Sequence, residues 1–190
     1  MNDRRVLIYL SVIVAAAGLL LLGVLLVRSL SLNARQESNA WSKCDLTELA
    51  PGKISHCGNT AIYRRTEMDL QSVSKFENLL DDPNSIYSTQ PATSKNVWRS
   101  ENKLFFVFSP SAPNRGCSVE LKEAGDFAKY WEPTEATALK DLPYFYEPCE
   151  NRTWDASGRL YRRDGYPKEL NLTVPKVRWV SKTQALIYRG

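Results

Sequence analysis

The stretch "EPCENRTWDASGR", residues 147–159, puts a cysteine, three carboxylates and two arginines within thirteen positions. Cys149 stands in a Pro-Cys turn between Glu147 and Glu150, and Asp155 and Arg159 bracket a Ser-Gly turn. Such groups serve proton transfer, cation binding or thiol-disulfide exchange. Proton transfer is the weakest of these, because Glu147 and Glu150 come with no evident pocket, nucleophile or substrate-positioning group. No catalytic role is assigned to them.

The chain of 190 residues contains four cysteines and one histidine, His56. Cys44, Cys57, Cys117 and Cys149 include no CxxC pair, which suits disulfides in an oxidising compartment better than a zinc site. His56 adjoins Cys57, and a lone histidine there reads as an ordinary surface residue.

These groups need a scaffold, and its first element faces a different solvent. Residues 6–27, "VLIYLSVIVAAAGLLLLGVLLV", form an apolar run without charge or proline. At about 1.5 Å per residue such a run spans a hydrocarbon core of about 30 Å, so a transmembrane helix is expected. A cleaved signal peptide would have an apolar core of roughly 7–15 residues and a small-residue cleavage motif. The following "RSLSL" supplies no such motif. Arg4 and Arg5 favour a cytoplasmic N-terminus. The organisation read from this is a cytoplasmic tail (1–5), a span (6–27), a polar linker or hinge (28–42), with a helical extension of the span as the alternative there, and an extracytoplasmic domain (43–190). The net charge is +4, and the first thirty residues supply three arginines and one aspartate, leaving only +2 on the domain. That excludes a nucleic-acid-binding surface of the usual basic kind.

Within the domain, "TAIYRR", "KLFFVFS", "GRLYRR", "ELNLTVP", "KVRWVS" and "ALIYRG" read as short strands separated by Gly, Pro, Asn and Asp breaks. The stretch 68–80, with Leu70, Val73, Phe76 and Leu80 at helical spacing, reads as the one soluble helix. An all-β sandwich or barrel of stacked antiparallel sheets is expected.

Several landmarks, in order, resemble the Rieske iron-sulfur subunit of bacterial ubiquinol:cytochrome c reductase, the cytochrome bc complex. "DLTELAPGK" is similar to the opening of that family's head, "AIYRRT" to its "hRRRT" segment, and "LLDDPNS", "QP" and "NVWRS" to its "LxDPxS…QP…xxWRS" stretch. "FFVF" stands before the first cluster loop, and "DASGRLYRRDGYPKELNLTVP" is similar to "DxSGRxxxGPAPxxLxVP". The resemblance implies one transmembrane helix, a hinge and an all-β periplasmic head in the bacterial inner membrane.

The family holds a two-iron cluster on two loops, Cys-Thr-His-Leu-Gly-Cys and Cys-Pro-Cys-His-Gly-Ser, each giving one cysteine and one histidine ligand. Aligned with them are "APNRGC", 112–117, and "EPCENR", 147–152. All four ligand positions differ: Ala112 and Glu147 replace cysteines, Asn114 and Glu150 replace histidines. The resemblance therefore implies no cofactor, and a disulfide between Cys117 and Cys149. It leaves Cys44 and Cys57 for a second disulfide, with two free thiols as the alternative. Oxygen donors at Glu147, Glu150, Asn114 and Asp155 would make a poor cage beside Arg115 and Arg152, so solvated loop tips are expected.

A head without its cluster cannot oxidise quinol. The expectation is a non-catalytic accessory subunit of a respiratory complex, in contact with the lipid bilayer and with cytochrome b or oxidase subunits, cytochrome c being a further candidate partner. Arg115, Arg152 and Trp154 are the candidates for a docking tip. An assembly or regulatory factor, or a thiol-disulfide protein using Cys117 and Cys149, are the alternatives.

Overall fold

The computed structural model describes residues 3–113, 116–124, 139, 141–162 and 171–189. The first unit is α1, Asp3–Asn39, a helix of 37 residues and hence about 55 Å. Its stretch Val12–Leu30 is long and apolar enough to cross a membrane. The helix does not end with the apolar run: 28–39, read from the sequence as linker, is helical. That segment lacks an apolar period, but Leu32, Ala34, Arg35, Gln36 and Glu37 are good helix formers, so propensity carries the helix onward.

The second unit begins at Ser42 and is built mainly from three small antiparallel sheets. The central one joins β2 (Ile54–Cys57), β3 (Thr60–Arg64) and β4 (Phe105–Phe108). A second joins β5 (Glu120–Lys122), β6 (Tyr144–Glu147) and β7 (Arg152–Trp154). The third pairs β9 (Gln184–Tyr188) with both β1 (Trp41–Asp45) and β8 (Val177–Trp179).

The central sheet shows why "FFVF" is apolar at every position. Ala61, Tyr63, Phe106 and Phe108 cluster with Phe145 and Trp154 of the second sheet. Ile62, Phe105 and Val107, one residue out of phase, cluster with Cys44, Leu46, Ala185 and Ile187 beside the third. A sheet covered on both faces needs apolar side chains at both phases of the pleat. The second sheet repeats the logic: Phe145 faces the first cluster, while Tyr144 and Tyr146 face another with Leu79, Leu80 and Tyr161. Phe145 lies 4.7 Å, ring centre to ring centre, from Phe108 and meets Tyr63 edge-on at 5.5 Å. Such aromatic pairs add about 0.5–1.5 kcal/mol each beyond area burial.

The helix expected over 68–80 is shorter. It is α2, Glu67–Ser72, started by a capping box in which Thr66 accepts from the Asp69 amide and Asp69 accepts from the Thr66 amide. A separate 3-10 turn covers Glu77–Leu79. The carbonyl of Val73, just past α2, accepts instead from the guanidinium of Arg159. "GRLYRR" and "ELNLTVP" also depart from the strands expected of them. Among the described residues of those segments, Leu160 and Tyr161 make only isolated bridges and 171–176 form no ladder. Their amides are claimed elsewhere, Leu160 donating to Asn171 Oδ1 and Val174 to the Thr89 carbonyl.

Three buried arginines tie these segments together. Arg65 donates to the carbonyls of Ala156, Lys103, Phe105 and Trp98. Arg99, 0 % exposed, donates to the carbonyls of Gly158 and Leu172 at 2.8 and 2.6 Å. Arg159 pairs with Asp155 at 2.7 Å. Burial pulls the pKa of Arg65 and Arg99 below the usual guanidinium range, and the nearby Asp155 carboxylate is the largest opposing influence. All three converge on the turn Asp155–Arg159, where Gly158 has φ +68°.

A Cβ on Gly158 would lie 2.3 Å from Cζ of the fully buried Phe106. Gly158→Ala therefore adds a left-handed non-glycine residue to a steric conflict that cannot relax into solvent. A loss on the order of 3 kcal/mol is expected, read as a lowered denaturation midpoint of the full chain in detergent.

Tyr63 donates to Asp69 Oδ2 at 2.7 Å, and its pKa is pushed far up by burial first and by the Asp69 charge second. Burial also raises Tyr161, with Asp155 adding to the effect. Both folded values exceed the ordinary 10.0. Below that pH neither state loses these protons and the contribution to stability is complete. Above it only the unfolded chain gives them up, so stability falls as pH rises, by about 1.4 kcal/mol per pH unit for each group. In an alkaline titration these two tyrosinates are expected to absorb only as the domain unfolds.

Candidate functional site

The candidate site lies where two turns meet. The first leaves β4 and returns toward β5: Val119 donates to the Pro110 carbonyl at 2.8 Å and Ala112 to the Cys117 carbonyl at 2.7 Å. Ala112 is buried in the aromatic core, and Gly116, at φ +69°, donates back to the Ala112 carbonyl. A small apolar residue suits Ala112's place inside the core, whereas an unpaired polar one would carry a desolvation penalty of roughly 1–3 kcal/mol. Asn114 and Arg115, expected at this tip, lie outside the described residues.

The second turn joins β6 to β7, and Glu147 organises it. Its side chain is not solvated, as the reading of this tip had it: the residue is 1 % exposed. Its two carboxylate oxygens accept from the amides of Cys149 at 2.8 Å and Glu150 at 2.9 Å. A buried carboxylate is tolerable when its oxygens are satisfied, and these amides are donors that a tight turn leaves without a ladder partner. Asn151 takes the left-handed conformation at φ +56°, which asparagine accepts more readily than most residues. The Tyr146 hydroxyl donates to the Asn151 side chain at 2.5 Å.

The two turns are stapled. Cys117 and Cys149 form a disulfide with Cα atoms 6.5 Å apart, and Cys44 and Cys57 form another at 6.0 Å between β1 and β2. Cys149 is exposed and Cys117 half-buried, so the first bridge is open to solvent on one side.

The carboxylates do not gather into an oxygen cage. Glu147 faces the turn amides, Glu150 is paired with Arg152, and Asp155 is held by Arg159 and the amides of Ser157 and Arg159. Each acid is already satisfied by a different partner. The docking tip needs correction. Trp154, 0 % exposed, is a core residue beside Phe145, and Arg152 is buried with Glu150 as its ion-pair partner. Neither presents an anchor to a partner. Trp179 is half-buried and stacks on Phe105 at 5.6 Å. His56 is exposed on β2.

The residues that sequence reasoning passed over are the buried arginines. Each sits in a landmark segment, "YRRT", "VWRS" or "DASGR", and three arginines in turn-rich segments near aromatic strands are the signal that could have singled them out.

No family model matches the chain, and no curated protein matches it. The fold and the stapled turns define a mostly antiparallel β protein of three small sheets, with two disulfides and one N-terminal helix apolar enough to cross a membrane.

Glu147→Gln replaces one acceptor with an amide facing a backbone N–H, and a loss of about 1–3 kcal/mol is expected. Glu147→Asp, which keeps the charge but is too short to reach both amides, is expected to lose at least as much. Replacing Cys117 and Cys149 together by serine opens a cross-link of sequence separation 32. That is expected to remove about 3–4 kcal/mol. Denaturant titration of each variant beside the parent protein checks all three.

Proposed function

We propose that this chain is a non-catalytic, membrane-anchored accessory subunit of a respiratory electron-transfer complex, with a Rieske-type head that has lost its two-iron cluster. In this reading α1 anchors it in the bacterial inner membrane and the β domain stands in the periplasm. The observation that carries the proposal is the state of the two turns. They retain a disulfide between them, yet Ala112 is packed into the core and Glu147 is bonded to its own turn.

A head of this kind would work by shape, as a docking or stabilising body beside cytochrome b or oxidase subunits. Its oxidising compartment agrees with both disulfides. The buried arginine clamp holds the segment Asp155–Arg159 that follows the second turn. The pairing of Glu150 with Arg152 removes a ligand position by neutralising it.

Protein purified from membranes is expected to lack stoichiometric iron and labile sulfide and to show no Rieske-type electron paramagnetic resonance signal. In mild detergent it is expected to comigrate with the complex at fixed stoichiometry. Iron and sulfide at two atoms each per chain would sink the proposal. Capture of the complex without fixed stoichiometry would favour an assembly or regulatory factor. The exposure of Cys149 favours a further reading, thiol-disulfide exchange, which rapid opening of the Cys117–Cys149 bridge by a mild thiol would support.

A further inference from the structure

Among the described residues one group of three metal-capable side chains converges, and two of its members are the bridged Cys117 and Cys149. A carboxylate oxygen of Glu147 and the sulfurs of Cys117 and Cys149 all lie within 4.8 Å of one another. Two soft donors with one hard donor suit zinc, or cobalt in its place, whereas calcium and magnesium take oxygen ligands.

The donors are already positioned by their surroundings. Glu147 is oriented by the amides of Cys149 and Glu150 at 2.8 and 2.9 Å, the kind of outer support a ligating carboxylate needs. Cys117 is held by its carbonyl, which accepts from Ala112 at 2.7 Å. The exposure of Cys149 leaves one side open to water. What prevents ligation in the oxidised protein is the S–S bond, since the thiolate is the ligand.

The geometry points to a zinc site that exists only in the reduced protein, formed by Cys117 Sγ, Cys149 Sγ and a Glu147 carboxylate oxygen, with water in the fourth position. A dithiol reductant supplies the two electrons and two protons: the S–S bond breaks, two S–H bonds form, and the dithiol leaves as its own disulfide. Zinc then displaces both thiol protons to solvent and forms two Zn–S bonds and one Zn–O bond. Disulfide and metal are mutually exclusive on the same sulfurs, so the two turns are joined by a covalent staple under oxidising conditions and by an ion under reducing ones. The inference goes beyond the accessory-subunit reading, whose test uses the oxidised protein, so either can fail alone.

The full chain in detergent is reduced with a phosphine, which becomes its oxide by taking oxygen from water, and is titrated with cobalt without oxygen. One equivalent is expected to give sulfur-to-cobalt charge-transfer absorption, and one equivalent of zinc to bleach it. Cys149→Ser is expected to abolish the band and Cys57→Ser to retain it. In the reduced parent protein, zinc is expected to slow alkylation of Cys117 and Cys149 about tenfold while leaving Cys57 unchanged, read by peptide mass. No band in the reduced parent, a band that survives Cys149→Ser, or alkylation of Cys117 and Cys149 indifferent to zinc would each overturn the site. The alkylation measurement needs no variant, so a serine variant that fails to fold does not blunt the test.

Discussion

The structure of the β domain depends on a set of buried guanidinium groups closing on one turn. Arg65, Arg99 and Arg159 are each nearly inaccessible to solvent, and all reach the segment Asp155–Arg159. Taking a guanidinium out of water is expensive, and the expense is offset only when its donors find acceptors. Here most acceptors are backbone carbonyls that the irregular segments leave free. The arrangement serves both sides: loops without ladder partners are satisfied, and cations without carboxylate partners are solvated by peptide dipoles. Asp155 supplies the closest counter-charge among the described residues, to Arg159 at 2.7 Å, with Glu77 at 3.8 Å from the same guanidinium, and Asp155 also caps the amides of Ser157 and Arg159.

That clamp also fixes one end of the candidate site. The turn from β6 to β7 leads straight into Trp154 and Asp155, so its end is anchored in the aromatic core and in the arginine network at once. Its other end is fixed by Glu147, whose carboxylate does locally what an ion would do across loops, drawing amides to a common acceptor. The disulfide then ties this turn to the one around Ala112. Three interactions of different kind, ionic, hydrogen-bonded and covalent, thus hold a tip whose donor atoms are mostly occupied by the protein itself.

The elements legible in the sequence were those whose pattern is local. "TAIYRR", "KLFFVFS" and "KVRWVS" contain β3, β4 and β8, and "ALIYRG" covers all of β9 but its first residue, because strands packed in the interior are marked by β-branched and aromatic residues. The apolar run near the N-terminus marked the membrane-length part of α1 by its length and lack of charge. β2 and β7 were not legible, since "ISHC" and "RTW" carry no alternation of their own and become strands by pairing with β3 and β6. The helix over 68–80 was overextended because its spacing is right, yet the Val73 carbonyl is recruited by Arg159, 86 positions away.

By itself the sequence determined the apolar N-terminal helix, the β character of the domain and the set of cysteines available for bridging, because each follows from composition or short-range period. Only the tertiary structure decided that Glu147 is a buried acceptor rather than a solvated acid, that Trp154 and Arg152 belong to the interior rather than a docking tip, and that Cys44 and Cys57 form a bridge rather than two free thiols. The physical reason is common to all three. Burial and partner choice are set by segments distant in the chain that fold against one another, and a residue type records what it can do but not which neighbour will be there.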